Sequence, residues 1–368
     1  MTGSFTPERL LFARNREGLT QTRLAKLADV SPRSIAHYES GDHDPGPEVV
    51  ERFAATLNVP VSFFAAPPLE VIEPAAASFR ALSKMGAARR DAALTSGALA
   101  MSLSVWLEER LRLPAPDVPR YERGARDPES AARRLRNEWE LGFAKVSNVV
   151  HLLEAHGVRI FSLPEHLADV DAFSYWWKGT PFVLVNTRKS AVRGRFDAAH
   201  ELGHLVVHAD HDMPRGRERE HEANRFAAAF LMPEEDVLAS GLRNAGVEAI
   251  LAAKGRWGVS AAALAHRLHE LGMTSDWTYH STFRRLSQLG YRSGEPDDEG
   301  QVSRERSQAL DKAFGLLKQR GIRQTDVARE LHLHPETLRS LLFGLVLTPM
   351  PGHAESVGGR AQLRAVEN

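Results

Sequence analysis

The pentapeptide His200-Glu201-Leu202-Gly203-His204 constrains the chain more than any other segment. Its four-residue histidine spacing is just over one helical turn, so a helix presents both imidazoles on one face, where they can share a metal ion. Glu201 then faces a water molecule at the open position of that ion. The 368 residues include no cysteine, which excludes disulfides, thiolate zinc sites and cysteine nucleophiles. Any metal must therefore use histidine and carboxylate ligands.

A catalytic zinc ion needs a third protein ligand, and one candidate is Asp210, ten positions after His200. The glycine that turns the chain in that arrangement is replaced here by Val207. A second candidate, His208, continues the i, i+4 series. Three imidazoles on successive turns span about 12 Å, however, which is more than one ion can bridge. We therefore interpret His208 as a structural residue or a neighbour of the ligands.

The remaining candidates are glutamates of the next predicted helix, which carries Glu218, Glu220 and Glu222. Glu220 and Asn224 lie one turn apart on that helix, so Asn224 can steer a histidine while Glu220 binds the ion. We favour Glu220 as the third ligand.

Hydrophobic periodicity divides the chain into four regions. Residues 1–66 predict a compact unit of five helices, and residues 67–130 predict a helical linker. Residues 131–290 predict an α+β domain with a small β-sheet, and residues 291–368 predict a C-terminal helical domain with a flexible tail. The expected fold is therefore mainly α, of the α+β class.

The hydrophobic period changes near residue 158. Short β-branched or aromatic runs at 158–162, 171–177 and 181–186 predict three strands, the last two joined in a hairpin. Long helices are predicted at about 190–208 and 217–232. The histidine pair thus lies on a helix directly after a strand pair and before a helix rich in carboxylates.

Charge and hydropathy limit the classes of partner. The chain has 47 Lys+Arg against 47 Asp+Glu, so any binding to nucleic acid must be local. The amino-terminal residues have no basic segment followed by an apolar run, so we do not expect a signal peptide there. The longest uncharged stretch of interest, 92–107, is 16 residues, short of the ~20 that a membrane span needs. We expect a soluble cytoplasmic chain with no membrane partner.

Residues 19–41 resemble the XRE-type, or lambda-repressor-like, helix-turn-helix. The pattern Thr-Gln…Leu-Ala…Val-Ser…Ile…Tyr-Glu…Gly carries the resemblance, which extends over residues 6–66. It implies a double-stranded DNA operator as partner. Apolar residues of the two helices pack together and leave the outer face of the second helix for base edges, while the first turn of the preceding helix matches the family's phosphate contact. The candidate DNA-binding residues are Gln21, Ser31, Pro32, Arg33, Ser34 and His37.

The charge of this unit limits the affinity that it can supply alone. Residues 1–66 carry seven Lys+Arg against eight Asp+Glu, so they lack the strongly basic footprint of a tight DNA binder. A homodimer on two half-sites would compensate, and retention of the unit for protein contacts is the alternative. Residues 321–344 echo the spacing of residues 18–41 and suggest a second, degenerate helix-turn-helix, or equally a helical packing unit.

The segment from Phe196 to His208, followed by Glu220 to Pro233, resembles the ImmA/IrrE family of gluzincin-like metallopeptidases over about residues 130–285. The resemblance implies Zn²⁺ as cofactor and cleavage of a repressor protein that relieves transcriptional repression. An additional oxyanion donor is expected, with His266, His269 and Tyr279 as candidates. The site residues that the resemblance implies are the zinc ligands His200, His204 and Glu220 and the general base Glu201.

These patterns favour a DNA-binding transcriptional regulator with a zinc-dependent peptidase domain that cleaves a partner repressor or itself. One alternative is a transcription factor whose peptidase-like domain is a non-catalytic zinc or ligand sensor or a dimerisation module. Another is a peptidase whose helix-turn-helix only recognises its protein substrate. The presence of Glu201 argues against pure sensing, since a structural zinc ion needs no base beside an open position.

Overall fold

The computed structural model describes residues 4–79, 85–121, 127–208, 216–291, 303–342, 344–346 and 364–365. Within them the chain is mainly helical, with one small mixed sheet in the middle. The predicted fold class is confirmed. The predicted flexible tail lies outside the described residues, apart from a short pairing of residues 364–365. None of the described helices combines the length and apolarity that crossing a membrane requires.

The amino-terminal residues form four α-helices and one 3-10 helix. They are α1 (Pro7–Arg16), α2 (Gln21–Leu27), α3 (Pro32–Ser40), α4 (Pro47–Thr56) and the 3-10 helix Val61–Ala65. The hydroxyls of Thr20 and Ser31 cap α2 and α3 by accepting hydrogen bonds from main-chain N–H groups. Gly41 ends α3 with φ of 79°, in the left-handed region that favours glycine. The predicted five-helix unit is therefore present.

The sheet contains the three predicted strands and one that the sequence did not reveal. Its strands are β1 (Ala77–Phe79), β3 (Arg159–Ser162), β4 (Ala172–Trp177) and β5 (Thr180–Val185), and they lie in the order β1-β4-β5-β3. Two further short strands, β2 (Leu111–Arg112) and β6 (Arg364–Ala365), pair with each other in a separate sheet. Strands β4 and β5 form the predicted hairpin, and β3 runs parallel to β5. Strand β1 pairs antiparallel to β4, with Ser78 opposite Ser174.

Helix α5 (Ala87–Glu108) is part of the core, although the sequence suggested a linker here. It packs so closely on the sheet that a Cβ added at Gly97 would lie 3.2 Å from the ring of Tyr175, and only 2.6 Å from Ile72 Cδ1 in the segment before β1. The Tyr175 hydroxyl of β4 donates to the Gly97 carbonyl at 2.9 Å. Helix α1 packs on the same helix α5, which joins the amino-terminal helices to the rest of the chain.

The remaining helices surround the sheet. They are α6 (Pro128–Glu138), α7 (Val149–Ala155), α8 (Ala191–Val207), α9 (Arg217–Leu231), α10 (Glu234–Leu238), α11 (Val247–Ala253), α12 (Ala261–Glu270), α13 (Asp276–Gln288), α14 (Gln308–Gln319), α15 (Gln324–Glu330) and α16 (Pro335–Leu342). Helix α8 lies between β4 and α9, and α6 covers α9. This layering brings the histidine-bearing helix, the carboxylate-bearing helix and the sheet edge together.

The carboxy-terminal helices are docked on this central unit through two reciprocal helix caps. Glu154 of α7 accepts hydrogen bonds from the first two main-chain N–H groups of α14. Glu305 accepts from the first two N–H groups of α7, and it also pairs with the buried guanidinium of Arg195 in α8. Helices α15 and α16 are joined by a short turn and contact each other, and α16 packs on β3.

Candidate metal centre

Helices α8 and α9 bring three metal-ligating side chains to one point. The Nε2 atoms of His200 and His204 are 3.1 Å apart, and the Glu220 carboxylate oxygens lie 3.4 Å from each of them. A tetrahedron with zinc–ligand bonds of 2.0–2.1 Å has edges of about 3.3 Å, so the donor spacing fits zinc. Two imidazole nitrogens and one carboxylate oxygen are also the ligand types of a catalytic zinc site. The residues present therefore fit the metal.

The second nitrogen of each imidazole is held by a hydrogen bond that sets its protonation. Nδ1 of His200 lies 3.0 Å from the Asn224 side-chain oxygen, to which it can only donate. Nε2 of His208 donates to the Glu222 carboxylate at 2.7 Å, so Nδ1 of His208 accepts from Nδ1 of His204 at 2.9 Å. Both ligand imidazoles thus carry their proton on Nδ1 and present a lone pair on Nε2.

Burial and mutual contacts favour the ligating forms of these side chains. His200 and His204 are fully buried, while Glu220 keeps about a quarter of its side chain exposed. Burial lowers the pKa of His204 well below its usual value, which keeps the imidazole neutral. Burial alone would raise the pKa of Glu220, but its close contacts with the two histidine side chains outweigh burial and hold that pKa well below its usual range.

Glu201 lies beside this group and contacts the sheet. It is fully buried, and the Ser174 hydroxyl of β4 donates to its Oε2 atom at 2.7 Å. Ser174 and Trp176 share the face of β4 that packs on α8, as the hydrogen bond from Trp176 to the Leu205 carbonyl shows. Sequence reasoning missed Ser174; its one signal was a serine within a strand of aromatic residues.

The candidate DNA-contacting residues lie at the start of α3 and on the facing turn of α2. Ser31, Pro32 and Arg33 are exposed, and Ser34 and His37 are half-buried. The Arg33 guanidinium donates to His37 Nε2 at 3.3 Å, and His37 Nδ1 lies 3.1 Å from the Asp42 carboxylate. The exposed Arg33 side chain and the half-buried His37 side chain therefore lie together on one face.

Gln21, the candidate phosphate contact, is the first residue of α2. Its amide nitrogen donates to the Glu39 carboxylate at 2.7 Å, and Arg14 holds the same carboxylate. This contact fixes the glutamine at the α2 amino terminus, beside α3.

Two family models match the chain. Residues 10–64 match the helix-turn-helix model, and residues 153–269 match the model of the IrrE N-terminal-like domain, a peptidase family. One chain therefore carries a region similar to the helix-turn-helix family and a region similar to the IrrE N-terminal-like family. No curated protein matches it. The IrrE-like match contains both histidines, Glu201, Glu220 and Asn224, whereas strand β1 and helix α5 lie between the two matched ranges.

The other candidate residues of the IrrE-like domain occupy different places. Asp210 lies outside the described residues. Glu218 is exposed on α9, while Glu222 holds His208 rather than joining the three-residue group.

The suggested oxyanion donors form a cluster of their own on α12 and α13. His269 stacks on Tyr279 with ring centroids 4.3 Å apart, and His266 pairs with Glu270. An oxyanion role for any of them stays a prediction.

Gly203 sets the distance between α8 and α9, and this yields a prediction. A Cβ at this position would lie 2.9 Å from the ring of Phe226 and 3.2 Å from its Cβ, which cannot rotate away. Overpacking costs about 1–3 kcal/mol, whereas alanine returns only ~1 kcal/mol of helix propensity. We expect Gly203→Ala to lower both the melting temperature and the zinc affinity, because α9 carries Glu220 and Asn224.

Gly194, on the same helix, supplies the matched control. An added Cβ there meets no atom within 4 Å. Gly194→Ala should therefore raise the melting temperature, and calorimetry of the two variants compares the effects. Equal stabilisation by both substitutions would contradict the role of Gly203.

Proposed function

We propose that the chain is a DNA-binding transcriptional regulator whose IrrE-like domain is a zinc-dependent peptidase acting on a partner repressor or on the chain itself. The observation that carries the proposal is the fully buried Glu201 carboxylate beside a His-His-Glu group of zinc-compatible spacing. A site built only to hold zinc needs no base at an open position.

Each side chain of the site has a part in peptide hydrolysis. A bound zinc ion supplies Lewis-acid polarisation and a water of lowered pKa. Glu201 takes the proton of the attacking water and passes it to the leaving amine, while Ser174 holds its carboxylate in place. Asn224 orients the His200 ring, and His208 with Glu222 orients the His204 ring. Burial of the site excludes bulk water.

The function is tested in cells that carry a reporter for the regulated promoter. Wild-type chain should change reporter expression and yield new amino termini in one repressor protein, detected by terminal-peptide mass spectrometry. The Glu201→Gln chain should do neither. Unchanged expression and unchanged repressor integrity between the two would reject the peptidase and favour a zinc or ligand sensor.

We also propose that the helix-turn-helix domain binds double-stranded DNA through α3, as a homodimer on two half-sites. The exposed Arg33 and the adjoining His37 support this placement. With DNA selected on the wild-type chain, the double variant Arg33→Ala, His37→Ala should bind at least about tenfold more weakly, as expected for lost contacts worth 1–3 kcal/mol each.

Arg243→Ala is the control for that measurement. Arg243 is an exposed arginine of the IrrE-like domain. Arg243→Ala therefore removes one positive charge, as Arg33→Ala does, without touching α3. Fluorescence anisotropy at one fixed salt concentration compares the variants. Undiminished DNA binding by the double variant would contradict the assignment of α3.

A further inference from the structure

Residues 70–79, which we call the strap, run along the outer edge of β4. At one end Glu70 accepts hydrogen bonds from Trp177 and Lys178, at the tip of the β4–β5 hairpin. Ile72 is buried against α5. At the other end Ala77–Phe79 pairs with β4 as strand β1. The strap belongs to neither matched family range, so it is a feature of this chain's connection between the two domains.

The strap passes directly beside the reaction centre. Ser78 lies opposite Ser174, and residues opposite each other in an antiparallel pair point to the same face of the sheet. Ser174 is the residue that donates to Glu201. On the other side, Arg219 donates to the Ser78 hydroxyl, and Arg219 directly precedes Glu220. Ser78 is thus bracketed by a partner of the proposed base and a neighbour of the proposed third ligand.

Extended peptides commonly bind by adding a strand to a free sheet edge, where main-chain hydrogen bonds supply affinity. The β4 edge is the one that reaches Glu201, and the chain itself fills it. We propose that Ala77–Phe79 occupies the position of an extended peptide substrate, so that the resting chain is self-occluded and a substrate segment enters by displacing the strap. This rests on the proposed peptidase function.

The strap is held weakly enough to be displaced, and the group it leaves unpaired indicates which substrate can replace it. Its ladder with β4 covers only three residue pairs, and Val71 is 71% exposed. Within the described residues the buried Nε of Arg219 has no hydrogen-bond partner, so the strap uses only part of this guanidinium. A main-chain carbonyl of the substrate can accept a hydrogen bond from this Nε atom. The expected substrate is therefore an extended segment with a small side chain facing Arg219.

The first experiment weakens the strap in the full, zinc-loaded chain. Ser78→Pro removes a main-chain N–H and hinders pairing within the ladder. It should raise kcat/KM for casein, an unstructured protein, by about tenfold, the equivalent of one to two hydrogen bonds, with unchanged zinc content. Val71→Pro places a proline in the same segment outside the ladder and should leave kcat/KM at the wild-type value.

The second experiment uses the wild-type chain and needs no turnover. A tripeptide hydroxamate that binds zinc should increase deuterium uptake of the strap amides at residues 77–79 while protecting residues 200–204. Binding of this probe with unchanged strap uptake would overturn the proposal. Casein cleavage by both zinc-loaded chains, with Ser78→Pro no faster than wild type, would overturn it too. Strand β1 would then not hinder substrate entry, or it would itself form part of the edge to which the substrate binds.

The two experiments separate this inference from the proposed function. If no variant hydrolyses casein or a repressor, the peptidase function fails. Displacement of the strap by the hydroxamate would then still establish the occlusion. If wild type and Ser78→Pro hydrolyse casein equally well, the function stands and the occlusion fails.

Discussion

Replacing Glu201 by glutamine is expected to lower peptide hydrolysis by the purified chain about 10²–10⁴-fold, the usual contribution of a general base. Glutamine has the same shape, and its side-chain oxygen can still accept the hydrogen bond from Ser174. It cannot take a proton from water. Because Glu201 is not among the three grouped ligands, zinc affinity should stay at the wild-type value.

Glu218→Gln is the matched control for this loss. Glu218 is an exposed glutamate of α9 close in sequence to Glu220, so the same chemical change is made outside the buried site. Initial rates on casein and the zinc content after dialysis are measured for both variants. A Glu201→Gln chain that keeps zinc and works within about threefold of wild type would show that another group is the base, since loss of a base costs at least about 10²-fold.

The residues of the candidate site that share a helix could be predicted from the sequence. His200 and His204 face the same way because helix geometry is local, and the structure places their Nε2 atoms together. The exclusion of His208 as a ligand followed from the same geometry, and the structure places its Nδ1 atom 2.9 Å from Nδ1 of His204 instead. Glu220 was favoured through its one-turn spacing from Asn224, but the close packing of α8 and α9 at Gly203, which brings Glu220 to this pair, was not predicted.

The residues contributed by long-range pairing could not be predicted. Ser174 and Ser78 reach the site through strand pairing across a gap of almost a hundred residues, and β1 is three residues long without β-branched side chains. The place of helix α5 in the core could not be predicted either, because a helix that is buried around most of its circumference has no polar stripe to mark its buried face. No hydrophobic periodicity in the sequence marks Arg219 as a residue that contacts the site.

Removing the proposed third ligand by Glu220→Gln is expected to weaken zinc binding by more than about 100-fold. The loss of a residue that only orients a ligand already costs 10–100-fold, and that smaller effect is expected for Asn224→Ala. Glu220→Gln also removes the only carboxylate of the His200, His204, Glu220 group, so two neutral imidazoles are left to hold a dication.

Zinc titration with a chromophoric chelator and thermal unfolding together test the ligand set. Zinc at 100 times its Kd stabilises the wild-type native state by about 2.7 kcal/mol, and this zinc-dependent rise in melting temperature should disappear in Glu220→Gln. The zinc affinity of Glu222→Gln should lie between those of Glu220→Gln and wild type, because Glu222 acts on the ion only through His208 and His204. Wild-type zinc affinity in Glu220→Gln would instead place the third ligand at Asp210 or Glu222.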